Sequence, residues 1–343
     1  MRYKLLGRSG LRVSELALGT MTFGEDWGWG ASREESRRMF DAFAEAGGNF
    51  LDTANRYTDG TSERYVGEFV SSDRDHFVVA TKYTLFTRHG DPNASGNHRK
   101  NMVQAVEASL ERMGLDHIDL YWVHAWDFTT HVDEVMRGLD DLVRGGLVIY
   151  VGISDTPAWV ISQANTLADL RGWSPFVATQ LRYSLLDRTA ERELLPMARH
   201  LDLAVTPWSV LGAGVLTGKY TRGAPPEAGR AKAGAATVER NLAIAQVVDA
   251  VADEVGCTSS QVALAWVRQR PGVIVPLVGA RDLGQLRENL GALDVTLDAG
   301  QVARLDAVSA IEMGFPHDFT AQENIRDLIF AGTHDLIDHH RRR

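Results

Sequence analysis

Eight short apolar runs alternate with longer amphipathic runs along the chain, and this alternation limits the possible folds more than any other feature. The apolar runs are LALGT, NFLDTA, HFVVATK, IDLYWVH, VIYVGIS, FVATQL, LAVTPWS and GVIVPLVG. Most are apolar almost throughout, which is typical of parallel strands that are buried on both faces. Eight strands that are each followed by helix predict an α/β fold, the closed (β/α)8 TIM barrel. A doubly wound open sheet is the alternative.

The runs between these strands have helical spacing. RKNMVQAVEASLERMG places Met102, Val106 and Met113 on one face and stops at Gly114, and SERYVGEFV predicts a helix with Ser62 as its N-cap. The opening YKLLGRSGLRVSEL predicts an N-terminal β-hairpin that closes the bottom of the barrel. We therefore expect one barrel domain at residues 1–315 and an appended C-terminal tail at residues 316–343.

Composition excludes several classes of protein. The 343 residues carry a formal net charge of −9, whereas nucleic-acid binding requires a basic face. The single cysteine, Cys257, rules out an intrachain disulfide. The N-terminus lacks the apolar core of a signal peptide and no apolar run approaches the length of a membrane span, so we expect a cytoplasmic protein without a membrane partner. The histidines lack the spacing of metal ligands, and no metal is predicted.

Three long loops follow predicted strands, at the end of a barrel where active sites are built. Aromatic side chains lie on several such loops and could form the wall of a substrate pocket, although packing of the loops onto the barrel is an equal alternative. The stretch from Gly218 to Val238 is rich in Gly, Ala and Pro and is typical of a lid or binding loop. The candidate substrate residues are Trp27, Trp29, Phe86 and Trp126.

Four polar residues should meet at this end of the barrel. Asp52, Lys82 and His124 lie at the carboxyl ends of the second, third and fourth strands, and Tyr57 lies five residues after Asp52. Each residue type also has ordinary structural uses: an Asp caps a helix, a Lys ends a strand in solvent, and a Tyr or His packs. Their common placement on one rim, rather than any one of them, indicates a catalytic site.

The four residue types suit the reduction of a carbonyl group. A Tyr hydroxyl, with an unperturbed pKa of about 10, can give a proton to the oxygen as hydride reaches the carbon. A nearby ammonium lowers that pKa, and a carboxylate keeps the ammonium charged in a dry site. An imidazole can hydrogen-bond the substrate oxygen and polarise it.

The chain resembles the aldo-keto reductase superfamily along nearly its whole length. FLDTANRY, VVATKY, ASLERMGLDHIDLYWVH, QLRYSLLDR, WSVLGAGVLTGKY and VGARDLGQLRENL resemble segments of that family in order and spacing. In style the likeness is greatest to bacterial members and to potassium-channel β subunits. The resemblance implies a barrel that binds NADP(H) without a Rossmann fold. It also implies that Tyr57 is the general acid, that Lys82 lowers its pKa, that Asp52 pairs with Lys82 and that His124 orients the carbonyl.

The same resemblance implies a cofactor site around the barrel mouth. Ser154 and Gln180 would hydrogen-bond the nicotinamide carboxamide, Trp208 would stack on the nicotinamide ring, and Lys219 would offset the pyrophosphate charge. A helix start beside Arg281 would hold an added phosphate through its backbone N–H groups. The cofactor-binding residues implied in this way are Gly19, Thr20, Met21, Asp52, Ser154, Gln180, Trp208, Ser209, Leu211, Gly212, Lys219, Gly279, Arg281, Gln285, Glu288 and Asn289.

Two departures from the family pattern affect the cofactor site. Asp155 stands where relatives usually have an Asn that binds the carboxamide, and an ionised Asp cannot donate a hydrogen bond. The sequence Gly279-Ala280-Arg281 replaces the Lys-Ser pair of many animal members, so a preference for NADPH over NADH would depend largely on Arg281.

The function predicted from the sequence is the NADPH-dependent reduction of a small-molecule aldehyde or ketone to an alcohol, without a metal. One alternative is a cofactor-binding regulatory or interaction subunit with little turnover, as in the channel β subunits. Another is a reductase of a nucleotide-linked keto sugar. The sequence leaves the oligomeric state open.

Overall fold

Parallel strands and helices alternate along the chain in the computed structural model, which describes residues 1–223 and 238–338. Most of the predicted loop from Gly218 to Val238 and the last five positions of the tail lie outside the described residues. The eight parallel strands are β3 (Ala17–Gly19), β4 (Phe50–Asp52), β5 (Val78–Tyr83), β6 (Ile118–Val123), β7 (Val148–Ser154), β8 (Phe176–Arg182), β9 (Ala204–Trp208) and β10 (Leu277–Val278).

The helices of the described chain cover the outside of these strands. In chain order they are α1 (Arg33–Glu45), α2 (Thr61–Val70), α3 (Arg99–Met113), α4 (Val132–Arg144), α5 (Ala158–Arg171), α6 (Leu194–His200), α7 (Glu239–Val255), α8 (Ser259–Arg268), α9 (Leu283–Leu290), α10 (Ala299–Val308), α11 (His317–Thr320) and α12 (Glu323–Phe330). None of the described helices is long and apolar enough to cross a membrane.

The strands pair in the order β10-β3-β4-β5-β6-β7-β8-β9. The two ends of this sheet meet, because Val205 of β9 forms a parallel bridge to Ile274, just before β10. Two backbone hydrogen bonds of 2.8 Å, from Val205 to Val273 and from Val275 to Val205, hold this seam. The sheet is therefore a nearly closed (β/α)8 barrel, as the sequence predicts, and not an open doubly wound sheet.

The barrel interior is filled by side chains from alternate strand positions. Phe50, Ala80, Trp122, Ala178 and Ala204 belong to one buried cluster inside the ring. A Cβ on Gly152 would lie 2.4 Å from the ring of Trp122, so glycine at this position makes room for the indole. The residues between these positions point outward and pack against the helices in a second, larger cluster.

The predicted N-terminal hairpin is present as β1 (Tyr3–Leu5) and β2 (Arg12–Ser14), which pair antiparallel. Leu6 and Val13 join the buried interior cluster of the barrel, and the Lys4 ammonium donates to the carbonyl of Ile274 at 2.6 Å. The hairpin therefore closes the end of the barrel opposite the carboxyl ends of the strands.

The predicted N-cap of the second helix is wrong. Helix α2 begins at Thr61, and Ser62 lies inside it, fully buried. The Ser62 hydroxyl donates to the carbonyl of Thr20 at 2.8 Å, while the Thr58 hydroxyl accepts the Ser62 backbone N–H at 3.1 Å. Ser62 ties the helix to the ends of β3 and β4, a tertiary contact that a local capping pattern does not reveal.

Candidate active site

The carboxyl ends of the strands carry a layer of polar side chains directly above the apolar interior. Two positions after Phe50, Ala80, Trp122, Ala178 and Ala204 stand Asp52, Lys82, His124, Gln180 and Thr206. Since side chains alternate across a strand, the residue two positions after an inward one also faces inward. The barrel mouth is therefore lined by polar groups, because each of these five strands places a polar residue two positions after its apolar inward residue.

Asp52, Lys82 and Tyr57 form a buried chain of hydrogen bonds. The Lys82 ammonium lies 2.5 Å from a carboxylate oxygen of Asp52 and donates to the Tyr57 hydroxyl at 3.3 Å. Its third donor reaches the carbonyl of Thr53 at 2.8 Å. The side chains of Lys82 and Asp52 are 0% and 2% exposed. All three ammonium protons thus have acceptors, which a buried charge requires.

His124 completes the group by packing edge-on against the Tyr57 ring. The two ring centroids are 6.0 Å apart with planes at 83°. The backbone N–H of His124 donates to the Thr84 hydroxyl at 3.2 Å. Its buried Nδ1 has no hydrogen-bond partner among the described residues. The structure therefore brings together all four residues that the sequence selects.

The protonation states of these groups follow from burial and charge. Burial lowers the pKa of His124 to about 3, assisted by the positive charge of Lys82, so the imidazole is neutral near pH 7. Burial also works against the charge of Lys82, but Asp52 and Tyr57 together outweigh it and raise the pKa of the ammonium. Burial raises the pKa of the Tyr57 phenol above its ordinary value of 10.0, although Lys82 acts in the opposite direction. The lowering of this pKa by Lys82, expected from the sequence, is thus the smaller of two effects.

Unpartnered hydroxyls flank this group at the ends of β7 and β9. The hydroxyls of Ser154 and Thr206 are buried and have no hydrogen-bond partner among the described residues. Gln180 lies between them in register and donates its amide N–H to Asp52 at 3.0 Å. Buried hydroxyls of this kind normally have a partner, so the arrangement fits a ligand that carries its own polar group, such as a carboxamide.

Trp208 is half-buried at the end of β9, and Asp155 follows the last residue of β7. The indole N–H of Trp208 donates to the Asp155 carboxylate at 3.1 Å. Burial raises the pKa of the Asp155 carboxyl, although this hydrogen bond and the charges of Arg182 and Lys82 lower it. The residue whose role the sequence left open therefore holds the aromatic side chain expected to stack on the nicotinamide.

Two neighbouring cations, Lys219 and Arg281, lie further along the mouth. Within residues 1–223 and 238–338, neither Lys219 nor Arg281 forms an ion pair. Partial burial lowers the pKa of Lys219, and the nearby charge of Arg281 lowers it further. Neighbouring like charges with no counterion in the described part of the chain fit an anionic ligand such as a phosphate. The turn of Ser209, Leu211 and Gly212 leads from Trp208 into the 3-10 helix Gly212–Thr217, with the Gly212 N–H bonded to the Ser209 carbonyl at 2.8 Å.

The start of α9 differs from the expectation that its backbone N–H groups are available to a phosphate. The Gln285 N–H is bonded to the Asp282 carboxylate at 2.9 Å, and the Leu283 N–H to the Glu35 carboxylate at 2.6 Å. The Arg281 N–H is bonded to the Gln285 side chain at 3.1 Å. A phosphate here would therefore depend largely on the guanidinium of Arg281, because the N–H groups of Arg281, Leu283 and Gln285 already have acceptors.

Several of the remaining candidates for cofactor binding have structural partners. The Thr20 hydroxyl donates to the Asp52 carbonyl at 3.0 Å, and the Asn289 amide to the Gly279 carbonyl at 3.4 Å. The Glu288 carbonyl accepts from Gln261 at 2.9 Å. These contacts order the loops around the mouth. Gly19 is the last residue of β3 and Met21 follows Thr20, so both lie at the rim.

Aromatic side chains from two loops meet across an arginine at the mouth. The rings of Trp27 and Trp29 are 5.6 Å apart, and the guanidinium of Arg56 lies 5.8 Å from the Trp27 ring and 4.7 Å from the Phe86 ring. Trp126 instead packs against the outer hydrophobic cluster. Sequence reasoning missed Arg56, although its position directly before Tyr57 in ANRY was the available signal.

Comparisons with known proteins agree with this site. The aldo/keto reductase family matches residues 15–310. Norsolorinic acid reductase of Aspergillus flavus is 37% identical over 325 residues, which cover 92% of this chain and 82% of that protein. Aryl-alcohol dehydrogenase [NADP(+)] of Phanerodontia chrysosporium is 39% identical over 329 residues, which cover 90% and 86%. Aldo-keto reductase ausK of Emericella nidulans is 36% identical over 333 residues, which cover 92% and 84%.

These relatives are fungal enzymes, so the finer likeness to bacterial members and potassium-channel β subunits is not confirmed. The broader resemblance is confirmed, since the family match spans nearly the whole barrel. The chain is an oxidoreductase that belongs to the aldo/keto reductase family.

Proposed function

We propose that this protein reduces the carbonyl group of a small aromatic aldehyde or ketone to an alcohol with NADPH, and that Tyr57 donates the proton. The observation that carries the proposal is the buried chain from Asp52 through Lys82 to the Tyr57 hydroxyl, with His124 against the same ring. The name of one relative, aryl-alcohol dehydrogenase [NADP(+)], supports the aromatic substrate class, and the name norsolorinic acid reductase supports a reduction.

Asp52, Tyr57, Lys82 and His124 have distinct tasks in this proposal. Because the pKa of Tyr57 is raised, its phenol carries a proton at neutral pH and can give it to the carbonyl oxygen. Lys82, held charged by Asp52, stabilises the phenolate that remains. His124 is neutral, so its imidazole can hydrogen-bond the carbonyl oxygen while Tyr57 remains the proton donor.

Bound NADPH would supply the hydride. Ser154, Thr206 and Gln180 offer polar groups to the carboxamide, and Trp208 offers an aromatic face to the ring. Lys219 and Arg281 offer positive charge to the phosphates, and Arg281 would favour NADPH over NADH. Trp27, Trp29 and Phe86, joined by Arg56, would form an aromatic wall for the substrate.

Replacing Tyr57 with Phe tests the proposal. We expect Tyr57→Phe to lower kcat for an aromatic aldehyde by about 10²- to 10⁴-fold, the usual contribution of a positioned acid. NADPH affinity, measured by calorimetry, should stay within about twofold, because the hydroxyl contacts Lys82 rather than the proposed cofactor residues. The assay follows NADPH absorbance with aromatic aldehydes, aliphatic aldehydes and keto sugars. Full activity of Tyr57→Phe, or no NADPH consumption by the unaltered protein with any of them, would contradict the proposal.

A further inference from the structure

Asp155 occupies an unusual backbone position at the end of β7. Its φ is +41°, in the left-handed region that only Gly, Asn and Asp adopt readily. Its backbone N–H donates to the Gln180 carbonyl at 3.1 Å, and its carboxylate accepts the Trp208 indole N–H at 3.1 Å. The residue thus connects the ends of β7, β8 and β9. These are the strands that carry Ser154, Gln180 and Trp208.

The charges around Asp155 are paired with one another and leave its carboxylate in excess. Arg182 lies 2.6 Å from Asp187, and Lys82 lies 2.5 Å from Asp52. His124 is neutral near pH 7, because burial lowers its pKa to about 3. When Asp155 is ionised, Arg182, Asp187, Lys82, Asp52 and Asp155 together carry one net negative charge.

A fixed carboxylate distinguishes the two redox forms of a nicotinamide. The reduced ring is neutral and the oxidised ring is a pyridinium cation, so a nearby negative charge stabilises the oxidised form selectively. An uncharged residue such as Asn, which hydrogen-bonds the carboxamide in either form, makes no such distinction.

We propose that the Asp155 carboxylate, fixed against the Trp208 indole, is a charge that raises the affinity of the site for the oxidised cofactor relative to the reduced one. This inference rests on the proposed function, because it requires the nicotinamide to lie at Trp208. It assigns Asp155 an electrostatic role, in addition to its structural role in positioning Trp208.

Asp155→Asn separates the two roles. Asn keeps an oxygen that can accept the indole N–H and also tolerates a left-handed backbone, but it carries no charge. Calorimetric Kd values for NADP+ and NADPH should show that the ratio of Kd(NADP+) to Kd(NADPH) rises roughly three- to tenfold, as expected when one partly exposed unit charge is removed. The ratio is the readout, because a hydrogen bond from Asn to the carboxamide would act on both forms equally and cancel in it.

The matched control is Asp169→Asn. It makes the same change in net charge on α5, where Asp169 pairs with Arg8 of the N-terminal hairpin region at the opposite end of the barrel. Its Kd ratio should equal that of the unaltered protein.

Other outcomes overturn the inference in distinguishable ways. If the ratio of Kd(NADP+) to Kd(NADPH) is unchanged in Asp155→Asn, or if both affinities fall equally, Asp155 only positions Trp208 and has no electrostatic role. If the unaltered protein binds neither NADP+ nor NADPH, the proposed function fails and this inference fails with it.

Discussion

The Lys82 ammonium is enclosed completely, with its charge compensated by Asp52 inside the mouth of the barrel. A buried ion pair contributes little net stability, because the desolvation of both groups offsets their attraction. Removing one partner is costly, however, since it leaves the other charge unpaired. The pair is thus understood better as a fixed electrostatic support for Tyr57 than as a source of stability.

Lys82→Met should therefore destabilise the protein by about 3–5 kcal/mol and abolish reductase turnover. The double variant Lys82→Met/Asp52→Asn removes both charges and should recover most of the lost stability while remaining inactive. Urea denaturation followed by fluorescence gives the stability, and NADPH consumption gives the activity. A double variant no more stable than the single one would contradict this account of the pair.

The neutral imidazole of His124 leads to a second prediction at the residue scale. Because its pKa is lowered to about 3, His124 takes up no proton as the pH falls from 8 to 5. We expect kcat for reduction to show no inflection near pH 6.5, the ordinary pKa of a histidine. An inflection there that disappears in His124→Gln would show that the imidazole titrates during the reaction.

At the scale of elements, the carboxyl ends of the strands define the site and the loops beyond them define access to it. Arg56, in the segment after β4, lies over an aromatic ring from the loop after β3 and another from the loop after β5. It also forms an ion pair with Asp59. Arg56 therefore links three loops of the mouth beside Tyr57.

Arg56→Met removes the guanidinium that holds the Trp27 and Phe86 rings together, and it keeps an unbranched side chain at this position. Each cation–π contact contributes about 0.5–1 kcal/mol, so we expect KM for an aromatic aldehyde to rise about two- to tenfold, with kcat nearly unchanged. KM for a small aliphatic aldehyde should not change. Arg88→Met, which removes an exposed arginine from the Phe86 loop, is the control and should have no effect. Equal changes in KM for both substrates would indicate that Arg56 acts on Tyr57 and not on the wall.

At the scale of the whole molecule, the barrel and the tail differ in how they are packed. Helix α10 belongs to the barrel, since Asp306 accepts the Trp266 indole N–H at 2.9 Å and pairs with Arg270 at 3.0 Å. The tail beyond it exposes large apolar side chains: Phe315, Leu328 and Leu336 are 81%, 78% and 82% exposed. A hydrogen bond of 3.2 Å between His317 and Glu193 joins it to the barrel surface.

Truncation after residue 315 should therefore leave the barrel folded and active. A surface contact of this kind contributes about 0–1 kcal/mol, so we expect the melting temperature to change by no more than about 3 °C and kcat to be unchanged. Truncation after residue 298, which also removes α10, should prevent folding. Loss of activity in the variant that ends at residue 315 would show that the tail is required for activity.

Much of this architecture is readable from the sequence because it depends on local pattern. The eight strands are continuous apolar runs, and the two-residue period of a strand assigns Asp52 and Lys82 to its inward face. The polar contacts between distant segments are not readable in this way. Gln180 meets Asp52, and Glu35 fills the start of α9, although neither pairing has a local signal. The misassigned cap at Ser62 has the same cause.

The sequence by itself determined the order of strands and helices, the family resemblance and the identity of the four residues at the mouth, since these depend on residue type and spacing along the chain. Only the tertiary structure decided how the groups are protonated and paired. The raised pKa of Tyr57, the lowered pKa of His124 and the Asp155–Trp208 contact all arise from burial and from charges on other strands. The physical reason is that desolvation and electrostatic interactions depend on distance in space, whereas a sequence specifies only separation along the chain.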